Sequence, residues 1–130
     1  MRILVADDDV FVHEMIETLL KDTGLASVNA ADGLQAIAEF EKQPFRIAVI
    51  DMMMPNRDGI QTIRDIRRRW PATRIIAMSG GSKLLRRFQV LDWAAELGAD
   101  AVLPKPFTPQ ALVEVVEAQL RLAPPPAVAV

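Results

Sequence analysis

Four places along the chain carry groups that could do chemistry together: Asp7-Asp8-Asp9, Asp51, Ser79-Gly80-Gly81 and Lys105. Asp51 closes the apolar run RIAVI and is followed at once by MMMPNRDG, so a stretch suited to a protein interior ends on a carboxylate. Beside Asp7 and Asp8 that carboxylate would be strongly repelled unless something cationic intervened. Lys105 is one cation at hand, and a divalent ion is another. Oxygen donors without His or Cys favour Mg²⁺, which keeps some of its waters and takes a phosphate oxygen readily. An aspartate can attack phosphorus to give an aspartyl phosphate, with the cations neutralising the oxygens of the transferring group. Ser79 would then hydrogen-bond the product, and the adjacent glycines let a phosphoryl group come close to the backbone.

These groups cooperate only if the fold brings them together, and the periodicity supplies the elements. Short apolar runs at Ile3 to Ala6, Ala26 to Ala31, Ile47 to Ile50, Ile75 to Met78 and Ala101 to Leu103 read as strands. Between them lie helical patterns. Val12, Met15, Ile16, Leu19 and Leu20 mark one inward stripe; Leu34, Ile37 and Ala38 mark the next, from about Gly33 to Lys42; Ile60, Ile63 and Ile66 mark a third, stopped by Trp70-Pro71. The last helix begins at Thr108, an N-cap followed by Pro109, and buries Leu112, Val115, Val116 and Leu120.

Strands alternating with helices predict a parallel sheet covered on both faces, because parallel strands need crossovers and the crossovers are right-handed. The runs ILVA, IAVI and IIAM are continuous, as buried inner strands are, whereas SVNAA carries an Asn and AVL meets Pro104. The expected order is therefore 2-1-3-4-5. In such a sheet, chemistry sits beyond the carboxyl ends of the strands where the chain order reverses. Asp7-Asp8-Asp9, Asp51, Ser79 and Lys105 all fall at those ends.

Composition narrows the classes further. The 130 residues fit one domain, and a net charge of −2 provides no global field for nucleic acid or an anionic membrane. The clusters Arg67-Arg68-Arg69 and Arg86-Arg87 are expected on solvated helix faces. Cysteine is absent, which excludes disulfides and thiolate chemistry and fits a cytoplasmic location. No apolar stretch approaches the ~20 residues of a membrane span. His13 is placed on the polar side of the first helix as a plain exposed residue, and Met52, Met53 and Met54 are read as core packing, not as a soft metal site. The segment LAPPPAVAV has no helical period, so 123–130 is read as a disordered end or linker.

The set ILVADDD at 3–9, D-M-M-M-P-x-x-D-G from Asp51, M-S-G at 78–80 and G-A-D-x-x-L-P-K-P-F at 98–107 resembles the response-regulator receiver domain, over residues 1–122. The resemblance implies a flavodoxin-like (βα)5 three-layer sandwich and a phosphoacceptor of a two-component system. It implies Asp51 as the phosphoacceptor. Asp7, Asp8, Asp51 and the Met53 carbonyl would hold Mg²⁺, with Asp8 the more direct ligand. Ser79, Gly80 and Lys105 would bind and sense the phosphoryl group, and Lys105-Pro106 would be a cis peptide. The donor would be a histidine kinase or histidine phosphotransfer protein. The domain would support its own phosphorylation without being a turnover enzyme.

Three departures accompany the resemblance. The position of the usual switch aromatic holds Val102. The interval from Ser79 to Lys105 exceeds the family's common spacing, with the excess in GGSKLLRRFQ. Met53 and Gly81 offer no acid or amide to position water, so slow hydrolysis of the phosphoryl group is expected. The 84–97 helix has two apolar stripes, and Leu84, Val90, Trp93 and Leu97 on it are candidates for a surface that binds a downstream protein or a second, phosphorylated copy.

The rivals are a pseudoreceiver of the same fold that is not phosphorylated, a haloacid-dehalogenase-type aspartyl-phosphate phosphatase and a flavodoxin-like mononucleotide binder. The intact acids and lysine argue against the first. The second needs an acid where Met53 stands, and the third needs a Ser/Thr/Gly-rich loop where the three acids stand.

Overall fold

The computed structural model describes residues 1–52, 54, 59–79, 96 and 98–122, and for Ser79 the backbone alone. The strands are β1 (Arg2–Ala6), β2 (Ala26–Ala30), β3 (Ile47–Asp51), β4 (Arg74–Ser79) and β5 (Ala101–Pro104). Among the described residues the helices are α1 (Val10–Leu20), α2 (Gly33–Lys42), α3 (Gly59–Arg69) and α4 (Pro109–Arg121). All strand pairings are parallel, in the order β2-β1-β3-β4-β5. The expected flavodoxin-like order is the observed one.

Strand residues alternate between two cores, as side chains on a pleated sheet must. Leu4, Ala6, Ala48, Ile50, Ile75 and Ala77 face α2 and α3, whereas Ile3, Val5, Ile47, Val49, Ile76 and Met78 face α1 and α4. β1 from its second residue and the whole of β3 are buried on both faces, which is why their sequences run apolar without alternation. Each fully buried Leu or Ile is worth about 1.5–3 kcal/mol relative to exposure. Met52 and Met54 are buried, as their packing role requires.

The helix starts follow local chemistry. The Asp9 carboxylate accepts from the Phe11 N–H, that of Asp32 from Gln35 and the Thr108 hydroxyl from Ala111, each satisfying a donor the helix cannot. The bond Lys105-Pro106 is cis.

Three expectations need correction. His13 is buried, not exposed, on the stripe it shares with Ile16 and Leu20. In α2 the inward stripe is Gly33, Ala36, Ile37 and Phe40, while Leu34 and Ala38 face solvent. The phase is set by Phe40, whose ring packs against Phe45 and Trp70 at centroid distances of 5.0 and 4.7 Å. Arg67 is not on a solvated face. Its guanidinium donates to the Gly98, Pro71 and Thr73 carbonyls and to Asp100, which also accepts from Arg74 and the Ile75 N–H. The network ties α3 to the amino end of β4, while Arg68 and Arg69 remain outward.

Candidate functional site

β1, β3 and β5 deliver their acids and lysine to one end of the sheet because the strands are parallel and in register: Ala6 pairs with Ile50, Asp51 with Met78 and Ser79 with Pro104. The residues just past β1 and β5 therefore stand beside the last residue of β3. The Lys105 ammonium donates to Asp7 Oδ2 at 2.6 Å and to Asp51 Oδ2 at 3.2 Å. Asp8, Asp7 and Asp51 each offer a carboxylate oxygen, and these lie within 4.8 Å of one another.

The acids differ in exposure. Asp7 is 0 % and Asp51 4 % exposed, whereas Asp8 is open to solvent. A buried carboxylate must be compensated by hydrogen bonds or charge. Asp7 has both, from Lys105 on one oxygen and from the Asp9 N–H at 2.8 Å on the other. Burial draws the Lys105 pKa down. The hydrogen bond to Asp7 and the charges of Asp51 and Asp7 together outweigh it, so the ammonium is raised above its ordinary 10.5. Lys105 is thus a fixed cation at neutral pH.

The donor set fits a hard divalent ion. It consists of carboxylate oxygens on three residues, with no thiolate or imidazole nitrogen in the cluster, the chemistry that suits Mg²⁺.

Asp51 is positioned from behind by Gly59. The Gly59 N–H donates to the Met52 carbonyl at 3.2 Å, and a Cβ at this position would collide with the Asp51 carbonyl oxygen and Met52 Cα. Glycine is needed here for close approach. The sequence shows it only as a turn residue after Asp58, and the helix start it permits against the strand end is a tertiary feature.

The structure brings Asp7, Asp8, Asp51 and Lys105 together, with the Ser79 backbone at the adjoining strand end. Val102 is half-buried against the core facing α2 and α3. Met53, Gly80, Leu84, Val90, Trp93 and Leu97, the segment of the enlarged loop and the tail 123–130 lie outside the described residues. His13 was missed by sequence reasoning: its Nε2 lies 2.7 Å from the Asp7 carbonyl oxygen. The signal was its spacing from Ile16 and Leu20, which is that of one helix face.

A sheet of this order with acids and a lysine at its carboxyl end defines a receiver-type α/β domain. The family model described as the response regulator receiver domain matches residues 3–117, and the chain belongs to that family. It is similar to the transcriptional regulatory protein CpxR homolog of Haemophilus influenzae, 32 % identical over 92 % of this chain and 50 % of the relative. It is 35 % identical to CpxR of Klebsiella pneumoniae, over 92 % of this chain and 49 % of that protein. The chain thus spans about half the length of these curated relatives. Among solved structures it resembles the chemotaxis protein CheY4 of Vibrio cholerae, with a TM-score of 0.79 at 25 % identity, covering 90 % of this chain and 96 % of that one. A CheY-like receiver domain from Methanospirillum hungatei gives 0.81 at 26 % identity, covering 92 % of each chain.

Proposed function

We propose that this receiver domain accepts a phosphoryl group on Asp51 from a histidine kinase or histidine phosphotransfer protein. Asp7, Asp8, Asp51 and the Met53 carbonyl would hold Mg²⁺, which when bound supplies positive charge to the acids and to a phosphoryl oxygen. The observation that carries this reading is the meeting of Lys105 with Asp7 and Asp51 beside the exposed Asp8.

In the transfer, an Asp51 carboxylate oxygen forms a bond to phosphorus as the bond from phosphorus to the donor nitrogen breaks. The electron pair goes to the donor ring nitrogen. The donor ring, protonated on its other nitrogen while it carries the phosphoryl group, leaves as neutral imidazole, so this chain need supply no proton. Lys105 neutralises charge on the transferring oxygens, and its place is held in advance by Asp7. Asp7 is buried and already bonded on both carboxylate oxygens, which suits an orienting acid, while Asp51 ends a strand buried along its whole length. Val10 and Phe11, 64 % and 78 % exposed at the first turn of α1, give a protein donor an apolar foothold beside the acids.

The product adds nearly two negative charges next to Lys105 and the Ser79 strand end. The Ser79 hydroxyl and the Gly80 backbone would bind it and bias a conformational equilibrium of the 84–97 segment. A downstream protein, or a second phosphorylated copy, reads the surface formed by Leu84, Val90, Trp93 and Leu97. With no acid or amide at Met53 or Gly81, the phosphoryl group is long-lived. The domain works in the cytoplasm as a switch, not as a turnover enzyme. Among the described residues no helix is long and apolar enough to cross a membrane.

Incubation with acetyl phosphate and Mg²⁺, read by intact mass, tests the proposal. The wild type should gain one phosphoryl group and Asp51→Ala none. A gain that persists in the variant, or no gain in the wild type, overturns it.

A further inference from the structure

We propose that His13 is a positioning residue for the metal-binding acids, acting through the peptide that joins Asp7 to Asp8; this rests on reading Asp7, Asp8 and Asp51 as a Mg²⁺ site. The Asp7 carbonyl belongs to that peptide, whose atoms share one plane. His13 Nε2 lies 2.7 Å from this carbonyl oxygen. Since a carbonyl only accepts, Nε2 carries the proton and donates it.

Among the described residues, no backbone N–H donates to the Asp7 carbonyl. The first acceptor of α1 is the Asp9 carbonyl, which takes both the Val12 and the His13 N–H. Asp7 lies outside the helix and is 0 % exposed, so its carbonyl would otherwise be buried without this partner. The remaining polar atoms of Asp7 are also held: its N–H by the Ala30 carbonyl at 3.0 Å, Oδ1 by the Asp9 N–H and Oδ2 by Lys105.

The ring itself shows what it is there for. His13 Nδ1 is buried with no hydrogen-bond partner. A Leu would complete the stripe of Ile16 and Leu20 with no unsatisfied nitrogen, so packing alone does not call for an imidazole. Its donor at Nε2 sets the plane of the Asp7–Asp8 peptide, and with it the direction in which exposed Asp8 presents its carboxylate. Without His13 that peptide is free to rotate toward other partners, and Asp8 turns with it.

The test is a Mn²⁺ titration of the unphosphorylated protein, followed by loss of the free-ion EPR signal, for wild type, Asp8→Asn, His13→Leu, His13→Gln and Ile16→Val. The Gln amide nitrogen reaches about as far as Nε2. We expect His13→Leu to weaken Mn²⁺ about tenfold or more, the size of effect seen when a partner behind a ligand is lost. His13→Gln should bind nearly as the wild type does. Ile16→Val, a purely packing change on the same stripe, should lower thermal stability without moving the affinity. If His13→Leu does not fold, His13→Met serves in its place. Wild-type affinity in His13→Leu, or equal weakening in His13→Gln, overturns the role of His13 while leaving the metal site standing. No binding by the wild type, or unchanged binding by Asp8→Asn, overturns the metal site and the inference together.

Discussion

The Lys105 ammonium donates to the Asp7 carboxylate at 2.6 Å across 98 positions of sequence. At 3.2 Å it also reaches Asp51, so one cation spans acids from two neighbouring strands. A group so placed compensates buried charge in the resting protein and, under the proposed function, is the cation that an incoming phosphoryl group would meet.

Replacement of Lys105 by Met separates those duties. The rate of phosphorylation by acetyl phosphate should fall about 100-fold, as when one donor to a developing oxyanion is removed. Mn²⁺ affinity should hold or rise, because a positive charge facing the ion is gone. A variant phosphorylated at the wild-type rate would assign the phosphoryl-binding role elsewhere.

The raised pKa of Lys105 makes stability depend on alkaline pH. The folded value lies above 10.5, so the folded state holds its proton more tightly than the unfolded chain. The stabilisation is complete below the unfolded value and is lost as pH rises through the folded one. Urea unfolding of wild type and Lys105→Met should differ by a constant amount from pH 8 to about pH 10 and converge above that. A gap that narrows between pH 6 and pH 8 would contradict the assignment.

Gly59→Ala places a methyl group against the Asp51 carbonyl and Met52 Cα. Both are backbone and cannot swing aside, so α3 must move away from the strand end. We expect a loss of about 3 kcal/mol, seen as a lower urea midpoint at unchanged slope. The same shift should slow Asp51 phosphorylation in whatever fraction remains folded.

Asp100→Ala removes the shared acceptor of Arg67, Arg74 and the Ile75 N–H at the amino end of the sheet. Breaking one partner of a partly buried ion network should cost about 2–4 kcal/mol. The acids lie at the carboxyl ends of the strands, so Mn²⁺ affinity should not change. A fall in affinity equal to that of Asp8→Asn would show that the two ends are coupled.

Several features were open to inspection of the chain alone. The continuous runs of β1, β3 and β4 revealed strands covered on both faces, and the weaker β2 and β5 revealed the edges, because burial on two faces leaves no room for polar alternation. Once the order was known, Asp7, Asp8, Asp51 and Lys105 had to share one end, since parallel strands all present their carboxyl ends there. The helix phase in α2 was not determined in this way. Leu34, Ile37 and Ala38 fit a stripe as well as Ala36, Ile37 and Phe40 do, and only contact with Phe45 and Trp70 decides between them. Polar residues gave the same difficulty. His13 and Arg67 look like surface groups until the carbonyls of Asp7, Gly98, Pro71 and Thr73 come within reach. Gly59 reads as a turn residue until Asp51 is packed behind it. Local periodicity and residue type reach only as far as neighbours in the chain, so they settled the elements, their order and the acids. Which buried donor meets which distant carbonyl depends on how close two backbones come, and the tertiary structure alone decides that.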